Sequence, residues 1–383
     1  MRKSNKFISL LLAGTMTAVL AGCGNSSTAA ETTVAETTAA EESTSALPEA
    51  SANSAALVIA EQGMFSSGGT VTEPVEGEFD ETANWLDMTR AGNTAHVDHA
   101  NVLYQIPENE SGMPMVFLHG YGQSRMGWMT TPDGRDGWAT SFLKKGHGVF
   151  LVDQPRRGEA GSTTTMTGDA LDAWEDEPKD YKPGDQAWYT HFRIGRVAPD
   201  RYDGSQFPEG DEAQNQFFRQ MTPNTGGFDL QVAADGLSAV MKDVYDQTGK
   251  KPVYVNHSQG GSVGWATDFD NISALVSIEP GSSPEVGSEN YQRLLEADIP
   301  VIFYYGDYID NGPDDIASTE FWKGARDGAR AFAESFNADG GDCTVIYLPD
   351  EGITGNSHFM FQELNSEEIA DHLAAWMDEK GLN

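Results

Sequence analysis

Residues Pro252–Gly261 read Pro-Val-Tyr-Val-Asn-His-Ser-Gln-Gly-Gly, and this stretch decides the fold. Its first half, Pro252 to Asn256, is a short apolar run rich in β-branched and aromatic residues, the composition of a buried strand. It leads directly into His257, Ser258, Gln259, Gly260 and Gly261, and a helical stretch follows. A strand, a tight turn and a helix in immediate succession are what a nucleophile elbow requires, because the strained turn exposes the serine hydroxyl. The small residues after Ser258 let the backbone fold that sharply. The glycine usual two residues before such a serine is replaced by Asn256, a residue type that tolerates unusual backbone angles better than most.

Comparable runs lie on both sides: Met115 to Leu118, Gly148 to Val152, Ile272 to Ile278, Pro300 to Tyr305 and Thr344 to Leu348. Near-continuous apolar runs of this length between helical patterns predict parallel strands covered on both faces. The helix expected from Asp229 to Gln247 keeps Leu230, Ala233, Leu237, Val240, Met241 and Val244 on one face, and Thr248 with Gly249 ends it. Ala95 to Ile106 alternates as an antiparallel strand or hairpin at the sheet's edge would. The fold class is therefore α/β, with a mostly parallel, doubly wound sheet. Between about 156 and 226 the periodicity fails, in a segment rich in Trp, Tyr, Asp, Pro and Gly that includes Trp174, Trp188, Tyr189, His191 and Phe192. It is too long for an ordinary connection. It is expected to cap the carboxyl ends of the strands, where open α/β sheets bind ligands.

A second chemical element, Phe117-Leu118-His119-Gly120-Tyr121-Gly122, follows directly on the first of these strands. Acyl transfer builds negative charge on a carbonyl oxygen, and two backbone N–H groups aimed at it stabilise that charge. One donor is expected from Gln259 and the other from Tyr121, with Gly122 the alternative. His119 is expected to order the loop.

These elements, in this order, resemble the α/β-hydrolase superfamily from about Ala95 to the C-terminus outside the cap. The run Leu151-Val152-Asp153-Gln154-Pro155-Arg156-Arg157-Gly158-Glu159 resembles the turn after the fourth strand of many members, and the implied role is structural. The superfamily's chain order of Ser, acid, His implies His358 as general base, since it lies in the Gly-rich loop Gly352 to Phe359 after the last strand. His372 sits in the amphipathic final helix and reads as a solvated helix residue. Most members place the acid after the seventh strand, which offers Asp307 and Asp310; a smaller set places it after the sixth, which offers Glu279. Glu279 closes a wholly apolar strand, where a carboxylate is costly unless paired. The motifs Asn-His-Ser-Gln-Gly-Gly, Ser-Ile-Glu-Pro-Gly and Gly-Asn-Ser-His also resemble a branch of bacterial serine esterases with a Ser, Glu, His triad. Glu279 is preferred on these grounds, with Asp310 the alternative. The resemblance implies a serine hydrolase that cleaves a small-molecule carboxylic ester. An amidase or peptidase on the same residues, or a non-catalytic lipid-anchored binding protein, are the other readings.

The N-terminus tells where the chemistry takes place. Arg2, Lys3 and Lys6 precede an apolar run from Phe7 to Leu20 and small residues before Cys23, the three parts of a secretion signal. Leu20-Ala21-Gly22-Cys23 resembles the bacterial lipobox, which implies removal of residues 1–22, lipidation of Cys23 and an extracytoplasmic, membrane-anchored protein. Residues 23–56 are nearly all Ser, Thr, Ala and Glu and are expected to be a disordered tether, leaving 57–383 as the hydrolase domain with its cap. The chain carries 24 Lys and Arg against 59 Asp and Glu, a charge that repels nucleic acid and anionic headgroups. With two Cys and one committed to lipid, no disulfide framework is available, and Cys343 is expected to be a buried, inert thiol. No clustered Cys/His site or phosphate-cradling Gly loop is present in the sequence, so neither metal nor cofactor is expected.

Overall fold

The apolar runs form the central strands of one sheet. In the computed structural model, which describes residues 56–82, 91–163 and 184–383, these are β1 (Ile59–Ser67), β2 (Ala100–Pro107), β3 (Met115–Leu118), β4 (Val149–Asp153), β5 (Val253–His257), β6 (Ala274–Ile278), β7 (Val301–Tyr305) and β8 (Cys343–Tyr347). The leader, Cys23, the tether up to residue 55 and residues 164–183 of the cap, with Trp174, lie outside the described residues. The spatial order is β1-β2-β4-β3-β5-β6-β7-β8. From β4 to β8 every pairing is parallel, and only β1 with β2 and β2 with β4 run antiparallel. Every residue of β3 to β7 is buried, as strands covered on both faces must be.

The edge differs from the expectation. β2 is an interior strand, and the edge is β1, which the sequence pattern did not reveal. The run Ile-Ala-Glu-Gln-Gly-Met-Phe-Ser-Ser is polar and largely exposed, so an edge strand of this kind leaves no continuous apolar signal. His96–Val97 belongs instead to a separate short pair with Thr70–Val71.

The helices used below are α1 (Trp138–Lys144), α2 (Asp185–His191), α3 (Asp211–Arg219), α4 (Leu230–Thr248), α5 (Gln259–Ala266), α6 (Glu289–Ala297), α7 (Ala317–Ala338) and α8 (Ser366–Glu379). Alternate residues of each strand feed two cores. Val116 and Leu118 of β3 pack into the one built with α4, α5, α6 and α7, while Met115 and Phe117 join the one built with α1 and α8. Asp229 caps α4 by accepting from the amides of Gln231 and Val232, a cap worth about 1 kcal/mol. Gly249, at φ 70°, ends it. Five of the six apolar residues expected on its inner face are buried; Leu230, in the first turn, is exposed.

The cap segment supplies α2 and α3 and a short strand pair, Gly195–Val197 with Asp200–Arg201. Trp188, Tyr189, Phe207 and Phe217 are buried and continuous with the α1/α8 core, so these aromatics chiefly extend the core. Cys343 opens β8 as a buried free thiol, and burial pushes its pKa up. Among the described residues no helix is long and apolar enough to cross a membrane.

Candidate active site

Ser258 sits between β5 and α5 at φ 54°, ψ −118°, backbone that a residue with a side chain adopts only under strain of roughly 1–3 kcal/mol. The unusual backbone therefore falls on the serine. Asn256, the residue type tolerant of unusual backbone in this turn, lies inside β5 without a positive φ. Its Oδ1 accepts from Ser277 Oγ at 2.9 Å. Room for its side chain comes from α5: a Cβ on Gly264 would stand 2.7 Å from Asn256 Nδ2.

Sheet register brings the other elements to the same level. Ile278 is paired with His257, so Ser258 and Glu279 leave adjacent strands side by side; Ser258 N donates to Ile278 O at 3.0 Å. Glu279 has φ 44° and is fully buried. Its Oε2 lies 2.7 Å from His358 Nδ1, and its Oε1 accepts from Gly306 N at 2.6 Å and from Arg193 Nη2. Burial alone would raise the Glu279 pKa, but Arg193 and His358 outweigh it and hold the carboxylate ionised. For His358 burial wins over Glu279 and lowers the pKa, so the resting ring is neutral. Its Nε2, also buried, has no hydrogen-bond partner among the described residues.

His358 is boxed in. Phe192 of the cap stacks on it at 4.7 Å between centroids, Trp322 of α7 lies at 4.3 Å, and His257, the residue before Ser258, at 4.4 Å. The His358 amide donates to Phe192 O at 3.1 Å. His257 Nε2 is 3.0 Å from His358 O. Its Nδ1 lies 3.0 Å from the Gln123 side-chain oxygen Oε1, also an acceptor, so the ring donates to one oxygen or the other according to its tautomer. Glu363, fully buried, takes the amide of Ser357 and the Nδ2 of Asn356, at 2.9 and 2.8 Å, fixing the loop just before His358. Burial pushes the Glu363 pKa up to about 7, against those hydrogen bonds.

Leu118 pairs with Asn256, which carries the His119–Gly122 loop alongside the serine turn. A Cβ on Gly120 would stand 2.8 Å from Ser258 Cβ, so only glycine permits this approach. His119 orders the loop: its Nδ1 donates to Gly120 O at 2.9 Å and its Nε2 accepts from Gln154 N at 3.3 Å. Burial lowers its pKa to about 3, so it stays neutral. Arg157, buried in the turn after β4, donates to Gly120 O at 3.1 Å. Gln259 is the first residue of α5, where a backbone N–H has no acceptor within the helix. Tyr121 follows Gly120, and its ring stacks on Trp188 at 6.1 Å.

The remaining carboxylates point elsewhere. Asp310 is half exposed and forms a two-pronged pair with Arg326 at 2.6 and 2.9 Å. Asp307 accepts from the amides of Tyr308 and Gly355 and so braces the His358 loop. His372, on α8, meets Tyr304 Oη at 2.9 Å and is only partly solvated. Arg193 and Glu363 are not marked in the sequence, and Arg157 and His257 stand there only within the runs around Asp153 and Ser258. The partners of each become visible only once the chain is folded. Among the described residues no group of three or more His, Cys, Asp or Glu is disposed to hold a metal ion.

No family model matches the chain. A probable secreted lipase, phiG, from a fungal species (strain ATCC 74256) is 25% identical over 326 residues, covering 72% of this chain and 84% of the lipase. A structure solved at atomic resolution and described as that of a novel bacterial esterase is 30% identical, with a TM-score of 0.70, covering 85% of this chain and 98% of that one. Similarity over nearly the whole of that esterase, with the sheet order and serine turn described above, places the chain in the α/β-hydrolase esterase family, and it is a hydrolase.

Proposed function

We propose that the protein is an extracytoplasmic carboxylic ester hydrolase acting through an acyl-enzyme on Ser258. The observation that carries this reading is the neutral His358 held at Nδ1 by the buried, ionised Glu279 and packed on His257, the residue before a serine in strained backbone. In the proposed reaction Ser258 Oγ attacks the ester carbonyl carbon while its proton passes to His358 Nε2. The imidazolium, stabilised by Glu279, then protonates the departing alcohol oxygen as the C–O bond breaks. Water enters, gives a proton to Nε2 and attacks the acyl carbon. Collapse releases the acid and returns the proton to Ser258. The amides of Tyr121 and Gln259 are the proposed donors to the oxyanion. The names of the secreted lipase and the bacterial esterase support a carboxylic ester as the substrate class.

The location rests on the N-terminal sequence: the Met1 to Cys23 signal and lipobox support anchoring to the bacterial membrane through lipid on Cys23. A fluorophosphonate probe tests the first part. Labelling and ester hydrolysis are both expected in the wild type and both lost in Ser258→Ala; an active Ser258→Ala enzyme would sink the assignment. Incorporation of a fatty-acid analogue, abolished by Cys23→Ser, tests the anchor, and a wild-type protein that takes up no lipid would refute it.

A further inference from the structure

We propose that Arg193, delivered by the cap, is a positioning residue of this site: it fixes the Glu279 carboxylate and sets the working basicity of His358. The proposal rests on the assignment of Ser258, His358 and Glu279 made above. Arg193 is almost fully buried. Its guanidinium is committed on three sides: Nη2 to Glu279 Oε1, Nε to Asp307 O at 3.0 Å, and its face over the Trp322 ring, 5.4 Å from the centroid. A planar fork can satisfy such partners together, whereas an ammonium makes a point contact. The preceding residue, Phe192, holds the His358 amide and stacks on its ring. The dipeptide Phe192-Arg193 thus grips the base and the acid at once, and Arg193 does so at φ 63°, backbone that persists only where its surroundings fix it.

The electrostatic consequence follows from sharing one negative charge. When His358 is neutral, Glu279 and Arg193 balance each other. When His358 takes up a proton, two cations face a single buried carboxylate. Arg193 therefore opposes protonation of His358, which keeps the free base available and makes the imidazolium a better acid toward the leaving alcohol. The other titratable groups packed around the pair are His257 and, behind it, His119, Glu363 in the loop after His358, Asp307 and Tyr305 at the end of β7, and Tyr202 from the cap. His119 and His257 are neutral. The Asp307 carboxylate is taken up by the amides of Tyr308 and Gly355. That makes Arg193 the nearest permanent cation.

The experiment measures kcat and KM against pH on a small chromogenic ester for wild type, Arg193→Gln and Arg193→Lys, with thermal melts as a folding check. In Arg193→Gln the acid limb of kcat/KM moves up by about one pH unit, because protonated His358 is no longer opposed. In Arg193→Lys the charge remains, so the limb stays at its wild-type position, while kcat falls with KM little changed because the fork is lost. A folded Arg193→Gln whose limb does not move overturns the proposal, as does an equal movement in Arg193→Lys. If Arg193→Gln does not fold, the lysine variant decides: a lowered kcat at unchanged KM supports the proposal, and wild-type kcat overturns it. Fluorophosphonate labelling of wild type and Ser258→Ala accompanies the series. Loss of label in Ser258→Ala upholds the serine assignment, so that an unmoved limb then counts against Arg193 alone.

Discussion

Glu279→Gln offers the sharpest test of the proposed site. Both partners of Oε1, the Gly306 amide and Arg193, are donors, so the amide oxygen of glutamine must remain on that side. The NH2 group is then forced onto the Oε2 position, 2.7 Å from His358 Nδ1. Nδ1 must accept, the ring proton moves to Nε2, and His358 can no longer take the serine proton. Substituting a triad acid by its amide in this way costs about 10^4-fold, which is about 5 kcal/mol of barrier. Asp310→Asn serves as the comparison. It loses only a half-exposed pair with Arg326, so activity stays within about twofold. The assay is kcat/KM on a small chromogenic ester at pH 8. Circular dichroism melts accompany it, because the glutamine leaves Arg193 buried without its counter-charge, a loss of about 3–5 kcal/mol. A folded Glu279→Gln enzyme within about tenfold of wild type refutes the reasoning, and so does loss in Asp310→Asn alone.

Other consequences follow from the same geometry. Gly120→Ala pushes a Cβ to 2.8 Å from Ser258 Cβ, and kcat/KM should fall at least about 100-fold with the melting temperature reporting whether the fold survives. Ser258→Gly should melt higher than Ser258→Ala, by about 1 kcal/mol, because glycine relieves the positive φ and alanine does not; equal melts would show that the turn is unstrained. Glu363 carries a raised pKa in the folded state, so between its ordinary value and about 7 the native protein holds a proton that the unfolded chain has released. Its contribution to stability is present below that window and lost as pH rises through it, by at most about 1.4 kcal/mol per pH unit. Denaturant titrations of wild type against Glu363→Gln from pH 4 to 8 should show this slope in the wild type only.

Much of the architecture is legible without coordinates. Short continuous apolar runs between helical patterns mark strands covered on both faces, which is why β3 to β7 lie within a residue or two of their expected positions. The serine turn is local as well: strand, small residues and helix follow one another in the chain, so Ser258 could be found by reading along it. β1 was not legible, because an exposed edge strand needs no apolar pattern. Nor was the true use of Asn256. Its side chain is accommodated by Gly264 on the facing helix, a fact of packing rather than of backbone freedom.

The sequence by itself determined the parallel strands of the sheet, the serine turn and a short set of carboxylates that could serve His358. Only the tertiary structure shows which of those carboxylates lies against His358, because that depends on which strand end stands beside the His358 loop. The pairing of Ile278 with His257 puts Glu279 there, while Asp310 turns to Arg326. It alone introduced Arg193 and Glu363 and gave Arg157 its partner, through contacts with residues 86, 6 and 37 positions away in the chain. A buried charge is recognisable only by what surrounds it, and that surrounding exists only once the chain has folded.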